Sequence, residues 1–135
     1  MAQIKKIVDS YSEEIVKIVN SLDNENGFKD AFGGNGKVGR SQLAKVLSAI
    51  KTANSIEEIK LFIGYQESRS KVGKEWKARV GKSTLAKILC EKIDEVIKLS
   101  NNENLELKDL IELKLRLGEK FFGYLYWKGT IYAQG

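Results

Sequence analysis

Two glycine-containing stretches have the spacing of a phosphate-binding loop, in which backbone amides and a lysine hold the phosphates of a nucleotide. The first runs from Gly34 to Ser41, with arginine where the motif needs lysine. The second ends in Gly81-Lys82-Ser83-Thr84, but Trp76 stands in the place of its first glycine. The motif works only where a strand delivers the loop to a helix, and no strand is predicted before either stretch. We therefore do not expect nucleotide hydrolysis.

The positive charge of the chain is concentrated in two segments. The net charge is +5, and residues 37–54 hold four cations and no acid, whereas residues 69–82 hold six cations and only Glu75 as an acid. The cations are Lys37, Arg40, Lys45 and Lys51 in the first segment and Arg69, Lys71, Lys74, Lys77, Arg79 and Lys82 in the second. Such clustering is typical of a polyanion-binding surface, and a solvated surface without a ligand is the alternative.

Each segment has a feature that could engage a nucleic acid. The stretch Gly36–Ser41 would expose backbone amides at a helix start beside Lys37, which suits one phosphate of a nucleic acid backbone. A glycine hinge with solvated charges is equally compatible with it. Trp76, inside the second segment, could stack on a base, but its large apolar area favours burial.

The composition excludes several classes of site. The chain has no histidine, which removes histidine metal ligands and serine–histidine triads, and its single cysteine, Cys90, removes internal disulfides and cysteine-rich metal sites. We expect no enzyme activity, no cofactor and no metal. No apolar stretch reaches transmembrane length and no signal peptide is recognised, so we expect a cytoplasmic protein without a membrane partner.

Apolar residues recur with helical spacing through most of the 135 residues, and proline is absent. The pattern predicts an all-α protein, one domain over residues 1–135, built as a bundle of about five helices. Ser55 and Glu58 form a capping box, and Asn104 is placed to cap the last helix. Because Gly81 interrupts the fourth helix, residues 73–82 are alternatively a basic loop or a short helix. The predicted helices are Gln3–Leu22, Arg40–Ala53, Ile56–Arg69, Lys74–Leu99 and Leu105–Ala133.

The last predicted helix is apolar on nearly every side in its second half. Its expected buried face comprises Leu107, Leu110, Ile111, Leu117, Phe121 and Leu125. Such a helix is either central to the bundle or also in contact with another subunit. We therefore predict that some of the remaining aromatic residues form an interface, the candidates being Phe122, Tyr126, Trp127 and Tyr132.

Three stretches between Val38 and Tyr132 resemble sequence patterns of the small helical subunit of type III CRISPR effector complexes, and they occur in the same order along the chain. Gly39–Leu47 resembles a helix start with Ser-Gln-Leu, Phe62–Arg69 resembles a helix end with Tyr-x-x-x-Arg, and Phe121–Leu125 is similar to an aromatic C-terminal helix. The glycine-rich stretch Gly33–Gly36 has no counterpart in these patterns, and lysine replaces arginine at Lys128.

The resemblance implies a non-catalytic protein whose copies stack along the guide RNA–target RNA duplex and contact its backbone. Its partners would be guide RNA, target RNA, other effector subunits and further copies of itself. The matched polar residues are Arg40, Gln42 and Arg69. Together with the charge analysis, the predicted RNA-binding residues are Lys37, Arg40, Gln42, Arg69, Lys71, Lys74, Lys77, Arg79 and Lys82. The alternative is a helical adaptor whose basic face binds an acidic protein.

Overall fold

The structure is a computed structural model that describes residues 2–32 and 38–134. Within these residues the chain forms α-helices, short 3-10 turns and one hairpin of two-residue strands, as the all-α prediction requires. The helices are α1 (Ala2–Ser10), α2 (Ser12–Ser21), α3 (Arg40–Thr52), α4 (Ile56–Arg69), α5 (Leu85–Ile97) and α6 (Leu107–Gln134). The strands β1 (Arg79–Val80) and β2 (Ser83–Thr84) pair antiparallel between α4 and α5.

Helix α6 is the central element of the bundle, because α1, α2, α3, α4 and α5 all pack against it. The six helices share one hydrophobic core, in which Phe121 and Phe122 are both fully buried. The prediction of a single helical domain with α6 at its centre is therefore confirmed in outline.

The predicted face of α6 is only half correct. Leu117, Phe121 and Leu125 are buried, but Leu107 is 72% exposed and Ile111 is 37% exposed. Leu113, Leu115 and Phe122, which lie off that face, are buried instead. The reason is that α6 is contacted from several sides, so one helical stripe does not describe its buried surface.

The first predicted helix is in fact two, separated at Tyr11. The backbone of Tyr11 leaves the helical region, with φ −101° and ψ 7°, while its hydroxyl donates to Glu103 Oε2 at 2.6 Å. The apolar stripe continues across the break, because Val8 and Ile15 on either side of it are buried. The break thus redirects the chain without removing α2 from the core.

Helix α4 begins and ends where the sequence predicts, and the predicted capping box forms at its start. The Glu58 amide donates to Ser55 Oγ at 3.3 Å, and the Glu58 carboxylate accepts from the Asn54 amide at 3.2 Å, one residue before the expected partner. At α6 the cap prediction is wrong: the helix begins at Leu107, and the Leu110 amide donates to the Glu106 carbonyl.

Candidate nucleic-acid interface

Residues 69–82, called the basic segment from here on, are not part of a long helix. Ser70 ends α4, a 3-10 turn spans Glu75–Lys77, and the hairpin of β1 and β2 follows. The alternative of a basic loop is therefore the correct one, and α5 begins only at Leu85. Only the end of the basic segment is extended, at the strand Arg79–Val80, where successive side chains point to opposite sides.

Alternate residues of the basic segment point into the core. Trp76, Ala78 and Val80 are buried, whereas Arg79 is exposed and Lys77 is half-buried. The three apolar side chains therefore pack the segment against the bundle, and the cations between them face the solvent. The other cations, namely Arg69, Lys71, Lys74 and Lys82, are also exposed.

The backbone of the basic segment is held at two further places, and the side chain of Thr84, in the strand that follows, adds a third contact. The Gly81 amide donates to the Asn26 carbonyl at 2.6 Å, and the Leu85 amide donates to the Ala78 carbonyl at 2.8 Å. Thr84 donates through its hydroxyl to the Glu67 carboxylate, and the same hydroxyl accepts from the first turn of α5. The cations therefore stand on a braced segment, which lowers the entropy lost when they bind a ligand.

No cation of the basic segment forms an ion pair within residues 2–32 and 38–134. Cations elsewhere do form such pairs, for example Lys60 with Asp94 at 2.9 Å and Lys128 with Asp23 at 2.9 Å. Unpaired, exposed cations retain their full charge for an external anion. The charge clustering in the sequence thus becomes a basic surface in space.

A polar cleft joins the basic segment to α3. Its volume is about 130 Å³, and it lies between α3, the end of α4 and the 3-10 turn. The lining residues are Gln42, Lys45, Gln66, Arg69, Ser70, Glu75 and Trp76. The structure therefore brings together Gln42 and Arg69, which are 27 positions apart in the sequence.

Lys45 belongs to this cleft, although sequence reasoning did not select it as an RNA-binding residue. It is exposed on α3, three residues after Gln42, which places the two side chains on one face of the helix. The three-residue spacing between Gln42 and Lys45 could have been recognised in the sequence. What the sequence did not show is that this face of α3 meets the end of α4.

Trp76 is 1% exposed, so the prediction that it is buried rather than stacked on a base is confirmed. Its Nε1–H is buried and has no hydrogen-bond partner within the described part of the chain. An unmet donor of this kind is uncommon in a folded protein and needs an explanation.

The first predicted phosphate site falls largely outside the described residues. Lys37 is not described, and the structure describes no side-chain placement for Arg40, whose backbone begins α3 after Gly39. The second phosphate-loop-like stretch is the turn of the β1–β2 hairpin, so a two-residue strand does precede it, contrary to the prediction. Because the Gly81 amide is bonded to Asn26, it does not face a phosphate.

The four predicted interface residues differ in their surroundings. Phe122 is fully buried, with its ring centre 5.1 Å from that of Phe121, and its assignment to an interface is wrong because the core already covers it. Tyr132 is half-buried against Phe28, at 5.8 Å between ring centres, and Tyr126 is also half-buried. Of the four residues, Trp127 alone is mostly exposed to solvent, at 66%.

Trp127 lies on an apolar surface that extends over three helices. It shares one groove, whose rim is charged, with the buried Ile4 and Val8 of α1, and a second groove with Val16 of α2 and Ile131 of α6. Val16 and Ile131 are also exposed, at 37% and 68%. This apolar surface fits the predicted interface better than the set of four aromatic residues does.

The described residues form neither a reactive thiol nor a metal site. Burial raises the pKa of the Cys90 thiol to about 11, so this thiol is protonated and poorly nucleophilic at neutral pH. Within residues 2–32 and 38–134, no group of three acidic or cysteine side chains is placed to hold a metal ion. None of the helices described is both long and apolar enough to cross a membrane.

Comparison of the chain with protein-family models, with curated proteins and with solved structures finds no match.

Proposed function

We propose that this protein binds the sugar-phosphate backbone of RNA through the basic segment. The main support is the exposure of the cations of residues 69–82, on a segment whose Trp76, Ala78 and Val80 are buried in the core. These cations form no ion pair in the described residues. A fixed array of cations suits phosphates, whose spacing is regular and independent of base sequence.

The sequence resemblance supports a more specific role. We propose a non-catalytic small subunit of a type III CRISPR ribonucleoprotein, with several copies lying along the guide RNA–target RNA duplex. The proximity of Gln42 to Arg69 supports this role, because the two residues come from separate matched stretches and line one cleft. The basic surface and the apolar surface around Trp127 would then serve RNA and a neighbouring subunit, respectively.

The salt dependence of RNA binding tests the backbone-binding proposal. Each phosphate neutralised by a cation releases a counterion, so log affinity should fall linearly with log salt concentration. Changing Lys74, Lys77 and Arg79 together to alanine should flatten that slope by about 2 for single-stranded RNA, at about 0.7 per contact. The matched control changes the exposed residues Lys6, Lys17 and Lys108 to alanine. It lowers the net charge by the same amount and should leave the salt dependence of RNA binding mostly unchanged.

Helical content measured by circular dichroism should be the same in both triple variants. If the two variants flatten the slope equally, only the net charge matters and the site is wrongly assigned. If the protein binds no RNA but captures an acidic protein, the adaptor alternative is correct. Genes for other type III subunits beside this one would support the effector role, and their absence would count against it.

A further inference from the structure

Glu75 places a negative charge within a surface proposed to bind phosphates, which a carboxylate would repel. It is the only acid among residues 69–82 and lines the polar cleft together with Arg69 and Lys45. Despite these cations, it forms no ion pair or side-chain hydrogen bond within the described part of the chain. Simple charge neutralisation therefore does not explain its position.

The backbone at Glu75 is also unusual. Its φ is 52°, in the left-handed region that residues other than glycine rarely occupy, and it is the one such residue in the described chain. The conformation is maintained by the turn around it, in which the Ala78 amide donates to the Glu75 carbonyl at 3.0 Å. Backbone strain of this kind often accompanies a side chain that must be held at a ligand.

The size of the polar cleft restricts what can enter it. Its volume of about 130 Å³ is smaller than the several hundred Å³ of a typical small-molecule site. A small charged unit such as one phosphate with its sugar therefore suits the cleft better than a whole cofactor does. Trp76 also borders the cleft, and its buried Nε1–H has no hydrogen-bond partner in the described part of the chain.

The chemistry of the lining separates two kinds of ligand atom. Lys45 and Arg69 only donate hydrogen bonds and carry positive charge, so they suit phosphate oxygens. An ionised Glu75 only accepts and would repel a phosphate, but it would accept strongly from a hydroxyl group. In a nucleic acid backbone, the hydroxyl group beside a phosphate is the ribose 2′-OH, which DNA lacks.

We infer that the polar cleft seats one ribose–phosphate unit, with Lys45 and Arg69 on the phosphate and Glu75 accepting from the 2′-OH. The inference rests on the proposed RNA binding and adds to it a basis for preferring RNA to DNA. Gln42 and Gln66 can both donate and accept, so they complete the lining on either side of the sugar.

Binding to three oligonucleotides that differ only at the 2′ position tests this inference. The probes are oligouridylate, oligodeoxyuridylate and 2′-O-methyl oligouridylate, of which only the first can donate from the 2′ oxygen. The wild type should bind oligouridylate about ten-fold more tightly than the other two, the size expected of a hydrogen bond to a charged group. The readout is the ratio of affinities, because a change in net charge alters all three affinities together.

Three variants complete the experiment. Glu75→Ala should bring the ratio close to one, and Glu75→Gln, which keeps a neutral acceptor, should give an intermediate ratio. Lys45→Ala should weaken all three complexes alike, because it removes a phosphate contact. Glu91→Ala, an exposed acid on α5, removes the same charge away from the cleft and should keep the wild-type ratio.

The outcomes separate this inference from the proposed function. Equal binding of all three probes by the wild type, or an unchanged ratio in Glu75→Ala, overturns the role of Glu75 and leaves RNA-backbone binding standing. A wild type that binds no probe overturns both. The emission of buried Trp76, recorded in a Trp127→Phe background, checks that each Glu75 variant keeps the native turn.

Discussion

The guanidinium carbon of Arg69 lies 5.5 Å from the centre of the Tyr65 ring, one turn earlier on α4. Both side chains are exposed, and a cation over an aromatic face at such a site gains about 0.5–1 kcal/mol. The ring thus restrains the guanidinium beside the polar cleft. This contact gives a physical reason for the four-residue spacing of tyrosine and arginine in the matched helix end.

We expect Tyr65→Ala to lower RNA affinity about two- to five-fold without changing its salt slope. The reason is that Arg69 keeps its charge and loses only its restraint. Tyr65→Phe retains the ring and should behave as the wild type, whereas Arg69→Ala should reduce the slope by about 0.7, one phosphate contact. Affinity measured across salt concentrations decides this, and equal effects of the alanine and phenylalanine variants would contradict it.

Two glycines of α6 should respond in opposite directions to alanine. A Cβ at Gly118 would lie 2.7 Å from Ile56 Cδ1 and 3.0 Å from Ile50 Cδ1, whereas no neighbouring atom of residues 2–32 and 38–134 lies within 4 Å of one at Gly123. Gly118→Ala should therefore cost about 1–3 kcal/mol through overpacking. Gly123→Ala should instead gain about 1 kcal/mol from helix propensity. Urea unfolding of both variants measures the difference, and a shift of the same sign in both would contradict the close approach of α6 to α4.

Phe121→Ala should lower the free energy of unfolding by about 3–5 kcal/mol. Its ring is fully buried and packs edge-to-face on Phe122, so the substitution removes buried area and leaves a cavity. Ile131→Ala, at a 68% exposed position of the same helix, is the control and should cost less than 1 kcal/mol. A loss below 1 kcal/mol for Phe121→Ala in chemical denaturation would show that the ring is not in the core.

The apolar surface around Trp127 should cause weak self-association. Trp127 and Ile131 together expose apolar area that water solvates poorly, and such patches usually mark interfaces. Trp127→Ser should weaken association and leave the unfolding free energy nearly unchanged, because the indole is mostly outside the fold. Tyr132 is a poor second target, since it packs on Phe28 and its replacement would also destabilise the bundle.

Sedimentation over a wide concentration range measures this association. Val72→Ser, at a residue 90% exposed and distant in sequence from α6, is the control and should associate as the wild type does. A strict monomer at every concentration would contradict the prediction. Equal weakening by both serine variants would show that association is nonspecific.

The sequence predicted those features that depend on neighbouring residues. The start of α4 follows from Ser55 and Glu58, and the burial of Trp76 follows from its size. Features that depend on distant residues were not predictable. The break at Tyr11 accompanies a hydrogen bond to Glu103, and the turn at Gly81 is bonded to Asn26.

The same distinction applies to the candidate site. The clustering of cations in residues 69–82 is visible in the sequence, and so is the alternation of apolar and charged residues from Trp76 to Val80, whose apolar members are buried. The polar cleft is different, because Lys45 and Glu75 meet only through the packing of α3 against α4. No local pattern shows which helix faces will meet, so neither residue could be assigned a role beforehand.

The central position of α6 has a consequence for how the protein folds in the cell. Every other helix packs against α6, which follows them all in the chain. At a synthesis rate of roughly 5–20 residues per second, about 5–20 seconds pass between the synthesis of α2 and that of α6. During that interval the earlier helices have exposed apolar faces, a condition that favours aggregation and recruits chaperones. A chain that stops before Leu107 should therefore be degraded as an incompletely folded chain, because α3, α4 and α5 can still pack on one another but the faces that α6 covers stay exposed.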